Sequence, residues 1–186
     1  MSNLNICIDI DGTITSPYHF IPYLNNMYNK NLSNEDCTTL DWTELYGEDI
    51  EDILNKFHNE YMNAYEEAEV IEGARDIIKE LYERNNLYFV TARSESLTGI
   101  TTNWLNKNGF YDIEVYLLGS DYKIEKAKEL NCNLFIEDNP SNAIQIAEAG
   151  INVILMDANY NKGTEHERIT RVKDWKQIKE LIENHY

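Results

Sequence analysis

A chain of 186 residues with 33 acidic and 16 basic side chains, a formal net charge of −17, repels nucleic-acid backbones and anionic membrane surfaces. That argues against a duplex-binding protein and leaves room for a small anionic ligand only where a metal or a few local cations serve it. A hydrophobic share of 42% supports one packed α/β domain of this length, with room for an inserted lobe.

Cys7, Cys37 and Cys132 are odd in number and contain no CxxC, the usage of a reducing cytosol. No apolar run approaches membrane-spanning length. Met1-Ser2-Asn3 leads straight into an apolar stretch, leaving no room for a signal peptide. A soluble cytoplasmic protein is the expectation.

The apolar run Leu4 to Ile8 has the alternation and β-branching of a buried strand. Asp9 and Asp11 arrive at its C-terminal end, and a period of two places both on one face. Gly12 then permits a turn closed to most residues. Acid at the end of a central strand is costly to bury without a cation. Mg²⁺ fits, being a hard ion that takes few protein carboxylates.

From Ser16 to Ile71 the pattern turns helical and aromatic. Pro22 suits a first helical turn, and Tyr23, Leu24, Met27 and Tyr28 follow at helical spacing. Ser33 to Asp36 resembles a capping box. Asp41 to Gly47 reads as an aromatic loop or short turn. One long helix is expected from Glu48 to Tyr65, with Ile50, Ile53, Leu54, Phe57 and Tyr61 on its stripe.

After Gly73 strands and helices alternate. Ala74, Ile77, Ile78 and Leu81 mark a helix, and Leu87 to Val90 a strand ending at Thr91-Ala92-Arg93. Ile100, Trp104 and Leu105 mark the next helix, Ile113 to Leu118 a third strand, and Ile124, Ala127 and Leu130 another helix. Leu134 to Ile136 is a fourth strand running into Glu137-Asp138-Asn139-Pro140. A helix over Ser141 to Ala149 ends at Gly150, where a left-handed cap is expected. Ile151 to Met156 is the fifth strand; a polar loop, Asp157 to Thr164, precedes a terminal helix carrying Trp175, Ile178, Leu181 and Ile182.

This alternation predicts an α/β fold, a doubly wound parallel sheet with a small helical cap inserted after the first strand. Residues 1–15 and 72–186 form the expected core and 16–71 the cap. Ligands of such sheets bind beyond the carboxyl ends of the strands, beneath that cap.

Four strand ends carry chemistry. Thr91 offers a hydroxyl with adjacent N–H groups, although Thr is commonplace at strand ends. Arg93 either supplies a cation near an anionic ligand or pairs with Glu95 at the surface. Lys123, in Gly119-Ser120-Asp121-Tyr122-Lys123, enters a helix; Lys126, one turn on, is its competitor, and nearness to the helix N-terminus favours Lys123. Glu137-Asp138 closes the fourth strand.

Asp9-Ile10-Asp11-Gly12-Thr13, Thr91, Lys123 and Glu137-Asp138 together resemble motifs I to IV of the haloacid dehalogenase (HAD) superfamily of phosphatases. The resemblance covers the chain from Leu4 to the terminal helix. It implies that Asp9 attacks phosphorus and that Asp11 acts as general acid and base. It also implies that Thr91 and Lys123 hold the phosphoryl group. Mg²⁺ would be bound by Asp9, Asp11 through its backbone carbonyl, and Asp138, with Glu137 assisting; the superfamily usually has Asp-Asp there. Thr13, Ala92 and Arg93 fall on the substrate side of these motifs.

Within the superfamily, DIDGTIT, SPYHFIPYLN, TAR and IEDNP look like the bacterial nucleotidases grouped with the 5′(3′)-deoxyribonucleotidases. The implied substrate is a nucleoside monophosphate, with Phe20, Trp42 and Tyr46 of the cap as candidates to stack on its base. Taken singly, each of the three reads first as ordinary cap core. The rival substrates are a sugar phosphate or a polynucleotide end. A receiver-like phosphoacceptor module also uses acids, Thr and Lys, but carries its Asp on a middle strand and lacks a cap. His19, His58, His166 and His185 show no ligand spacing.

Overall fold

The computed structural model describes residues 3–185; Met1 and Ser2 of the expected lead-in to the first strand, and Tyr186, lie outside the described residues. Among the described residues six strands form one parallel sheet: β1 (Asn5–Ile8), β2 (Asn86–Thr91), β3 (Glu114–Leu117), β4 (Leu134–Glu137), β5 (Asn152–Met156) and β6 (Ile169–Val172). Their order is β3-β2-β1-β4-β5-β6. The strand met first in the chain therefore sits in the middle. It can do so because Ile6, Cys7 and Ile8 are apolar on both faces, as a strand covered from both sides requires.

The cover comes from helices α5 (Ala74–Tyr82), α6 (Thr98–Lys107) and α9 (Trp175–His185) on one face, and from α7 (Ile124–Glu129) and α8 (Pro140–Glu148) on the other. Ile6 and Ile8 pack with Ile78, Trp104 and Trp175; Cys7 packs with Ala127, Ala143 and Ile146. The doubly wound α/β expectation is met. All three cysteines are buried and free.

Between β1 and α5 lie α1 (Ile21–Tyr28), α2 (Trp42–Tyr46), α3 (Ile50–Glu60) and α4 (Ala64–Glu67). They enclose an apolar cluster of their own around Leu24, Ile53, Phe57 and Tyr65. Its two connectors are fastened together by Ile71 N–H donating to Ile14 O at 3.0 Å. Two buried indoles pin them to the core: Trp104 Nε1 donates to Ala68 O at 2.7 Å and Trp175 Nε1 to Thr13 O at 3.0 Å.

Three local expectations change. The stretch Asp41 to Gly47 holds the short helix α2, because Asp41 caps its start by accepting from Thr43 N at 2.8 Å and Gly47 takes the left-handed closing position at φ 80°. The helix expected over 48–65 breaks after Glu60, where Tyr61 leaves helical geometry and Tyr61-Met62-Asn63 turns the chain into α4. The polar segment after β5 is followed by a sixth strand, β6, at the sheet edge.

Candidate active site

The loops at the carboxyl ends of β1, β2 and β4 converge. Asp9 follows β1 directly, its N–H donating to Ile136 O of β4 at 3.0 Å, so its carboxylate is fixed at the seam of the two central strands. Lys123, the residue before α7, reaches across: Nζ lies 2.6 Å from Asp9 Oδ1 and 2.9 Å from Glu137 Oε2. Lys126 points elsewhere, pairing with Glu129 at 2.6 Å.

Glu137 is wholly buried and its second oxygen accepts from the N–H groups of Asp138 at 3.1 Å and Asn139 at 3.0 Å. Both of its oxygens are thus engaged by protein. Asp138 keeps its carboxylate turned to the site, with Thr13 Oγ1 donating to Oδ1 at 3.2 Å and Tyr160 OH donating to Oδ2. Gly12 is required here: it sits at φ +86°, and a Cβ on it would lie 2.2 Å from Asp138 Oδ2.

Asp11 does not share Asp9's surroundings. β1 ends at Ile8, so Asp11 lies in the turn that follows, and strand alternation does not govern its direction. It is held by a second cation. Arg93 Nη2 and Nε donate to its two oxygens at 2.7 and 2.8 Å, a bidentate pair. The third arm of Arg93 donates to Thr101 Oγ1 at 3.0 Å, and the guanidinium lies 4.8 Å over the Tyr65 ring of α4. Arg93 is buried and pairs with Asp11, not with Glu95 at the surface. Thr91 ends β2, buried, with its Oγ1 accepting from Arg93 N–H at 3.2 Å; Ala92 between them is half-buried.

Burial dominates the electrostatics. It pushes Asp9 up to about 7 in spite of Lys123. It holds Asp138 well above the carboxylate range, helped by the charges of Glu137 and Asp9. For Lys123, burial favours the neutral amine, but Asp9 and Glu137 outweigh it and the ammonium is reinforced. Asp9, Glu137 and Asp138 offer oxygens that all lie within 4.8 Å of one another. Three buried carboxylates against one ammonium leave a deficit of positive charge, and oxygen donors of this kind suit a hard divalent cation.

Beside the acids opens a cleft of about 250 Å³ whose lining includes Asp11, Gly12 and Asp138 on one side and Phe20, Leu40 and Trp42 on the other. Phe20 and Trp42 meet edge to face, 6.2 Å between centroids. Tyr46 is not in that lining. It is buried within the helical lobe, its hydroxyl donating to Asn25 Oδ1 at 3.3 Å. His19 spends its Nε2 on Ala64 O at 2.7 Å. Tyr160, which also lines the cleft, lay in what read as a featureless polar loop, and nothing in its neighbours Asn159 and Asn161 marks it in a single sequence.

The fold recurs in a haloacid dehalogenase-like hydrolase of Streptococcus pneumoniae, at a TM-score of 0.68 and 14% identity over 96% of this chain and 98% of that one. That likeness shows the fold; with the family and the relatives that follow, it defines a phosphoric monoester hydrolase of the HAD type. The chain belongs to the family described as 5′ nucleotidase, deoxy (pyrimidine), cytosolic type C, whose profile matches residues 3–185. A protein of Clostridium acetobutylicum named a nucleotidase is 34% identical over 184 residues, covering 98% of this chain and 95% of that one. YqfW of Bacillus subtilis is 36% identical over 182 residues, covering 97% and 94%.

Proposed function

We propose that this protein is a Mg²⁺-dependent phosphatase of nucleoside monophosphates, working through an aspartyl-phosphate in the cytoplasm. The observation that carries the reading is Asp9: a carboxylate buried at the central strand end and held by Lys123 at 2.6 Å. Its nearest acidic neighbour on the chain opens onto the cleft.

In this reading Lys123 fixes one oxygen of Asp9 and leaves the other to attack phosphorus. Asp11, released from its bidentate pairing with Arg93 by the entering phosphoryl group, gives a proton to the leaving alcohol, and then takes one from the water that hydrolyses the acyl phosphate. Arg93 orients that carboxyl; a phosphoryl group entering between them competes for the same guanidinium. The Thr91 hydroxyl and the N–H of Ala92 accommodate the phosphoryl oxygens without adding charge, while the Arg93 N–H holds the Thr91 hydroxyl in place. Thr13 steadies Asp138. The residues that would hold Mg²⁺ are Asp9, Asp138 and the backbone carbonyl of Asp11, with Glu137, its own oxygens spent, anchoring Lys123 behind them. A bound Mg²⁺ supplies the positive charge that the acid cluster and an anionic substrate both need.

Residues 16–71 serve as the cap that selects the substrate over a core of 1–15 and 72–186. Phe20 and Trp42, which line the cleft, are the residues proposed to meet the base; Tyr46 belongs to the lobe's interior.

The test is a panel of phosphate monoesters in Mg²⁺, including the common 5′- and 3′-nucleotides, sugar phosphates and an oligonucleotide end. Steady phosphate release with nucleotides preferred is the expected result. A sugar-phosphate preference would reassign the substrate, and a single stoichiometric phosphorylation without turnover would return the protein to the receiver class.

A further inference from the structure

The turn between β5 and β6 has no part in the motifs, yet it is among the most tightly built segments of the site. Asn161 is buried with its amide fully used. Its Nδ2 donates to Asp138 O and to Met156 O, both at 2.7 Å. Its Oδ1 accepts from Ala158 N at 3.1 Å and from Arg171 Nη1 at 2.6 Å. Arg171, on β6, also donates to Asn161 O at 2.6 Å. The turn therefore has one shape, and that shape aims Tyr160 OH at Asp138 Oδ2.

The same turn grips the helical lobe. Asn159 N–H donates to the Tyr18 hydroxyl at 2.8 Å, and Asn159 Nδ2 to Asn34 O at 2.8 Å. The Tyr18 and Tyr160 rings meet edge to face at 6.3 Å.

We propose that Tyr160 is a positioning residue for the divalent cation, and that through Asn159 and Tyr18 it ties the cation's carboxylate to the helical lobe. The proposal rests on the metal reading given above. Two hydroxyls, Thr13 on Oδ1 and Tyr160 on Oδ2, set the rotation of the Asp138 carboxylate. Each carboxylate oxygen has about two acceptor sites, so one remains on each for the metal. Groups that orient a metal ligand in this way are worth roughly 10- to 100-fold in metal affinity when removed. Because the turn also holds Tyr18 and Asn34, a displaced lobe would loosen the donor on Asp138, so lobe position and cation affinity are one equilibrium.

The experiment is Mn²⁺ binding to the free enzyme, without substrate, read from the electron paramagnetic resonance of unbound Mn²⁺. Wild type should bind, and Asp138→Asn should not. Tyr160→Phe, which keeps the ring and removes the donor, should weaken Kd by roughly 10- to 100-fold with an unchanged circular-dichroism spectrum. Tyr18→Phe, which removes the acceptor of the Asn159 N–H and keeps the ring against Tyr160, should weaken it in the same direction by a smaller factor. Wild-type affinity in a folded Tyr160→Phe overturns the positioning role, and tighter binding overturns it too, since Tyr160 would then compete with the metal. Unaltered affinity in Tyr18→Phe overturns the link to the lobe, and that variant gives its answer even where Tyr160→Phe is too unstable to titrate. Wild type that fails to bind Mn²⁺ removes the metal reading and this proposal with it, an outcome distinct from a binding wild type with indifferent variants.

Discussion

Asp9 is kept buried at a cost in desolvation, and the proposed role as nucleophile gives that cost a purpose. Desolvation pushes its carboxyl up to about 7, with Glu137 and Asp11 adding to the effect and Lys123 opposing it. Asp9→Asn removes one charge from an acid cluster and keeps the shape, so the fold should survive. Turnover should fall by on the order of 10⁴-fold or more, because binding energy elsewhere does not replace a nucleophile. Phosphate release together with a thermal melt decides it; unchanged activity would refute the mechanism. Gly12→Ala is the complementary test of geometry. Its φ of +86° and the Asp138 oxygen 2.2 Å from an added Cβ leave no room for a methyl group. A loss of about 1–3 kcal/mol in urea unfolding is expected from the backbone alone, with weaker Mn²⁺ binding as Asp138 is displaced. Stability and metal affinity both at wild-type values would show that the turn is adaptable.

At the scale of elements, the role proposed for the lobe is to decide what reaches the acids. Trp42 stands at the start of α2, half-buried against Phe57 at 5.8 Å, with part of its surface in the cleft. Stacking on a base is worth roughly 1–3 kcal/mol, so Trp42→Ala should cut kcat/KM for nucleotides by about ten- to a hundredfold and affect a generic aryl phosphate much less. Tyr46→Phe should leave the ratio between the two substrates unchanged, its hydroxyl being spent on Asn25. Equal losses on both substrates in Trp42→Ala would make Trp42 core alone. These elements were unevenly legible in the sequence. The buried strands β1, β4 and β5 announced themselves as apolar runs, with acids at the ends of β1 and β4, Thr91 at the end of β2 and Lys123 just before α7. The break between α3 and α4 did not show, because Phe57, Tyr61, Ala64 and Tyr65 keep helical spacing straight through it. β6 did not show because an edge strand exposes one side, and Ile169-Thr170-Arg171-Val172 is short and half polar. Arg93 was visible, but its partner was not: whether it met Glu95 or Asp11 depended on how the chain turns after β1. Tyr160 and Asn161 were invisible because their work is done across 22 and 23 residues of chain, on Asp138.

For the whole molecule, the buried acid cluster contributes a stability that falls as pH rises. A carboxyl whose folded value is raised binds its proton more tightly in the native state than in the unfolded chain. Where the native state holds more protons, stability falls as pH rises. With Asp9 at about 7 in the fold against 3.8 as its ordinary value, the effect spans that interval: stability from this group is fully present below about pH 3.8 and is lost as pH rises through 7. Asp138 is shifted in the same direction. The net charge of −17 adds a general repulsion that also grows as carboxyls ionise. Metal-free protein, prepared with a chelator, should therefore melt higher at pH 5.5 than at pH 8, each kcal/mol relieved being worth roughly 2–4 °C at this size. Mg²⁺ should raise the melting temperature at pH 8 far more than at pH 5.5, since it binds the ionised carboxylates and competes with their protons. NaCl at equal ionic strength separates the two sources, because it screens surface repulsion without entering a buried site. A melting temperature independent of pH between 5.5 and 8 in chelator, or one raised equally by NaCl and by Mg²⁺, would mean that the buried acids are not the groups that set it.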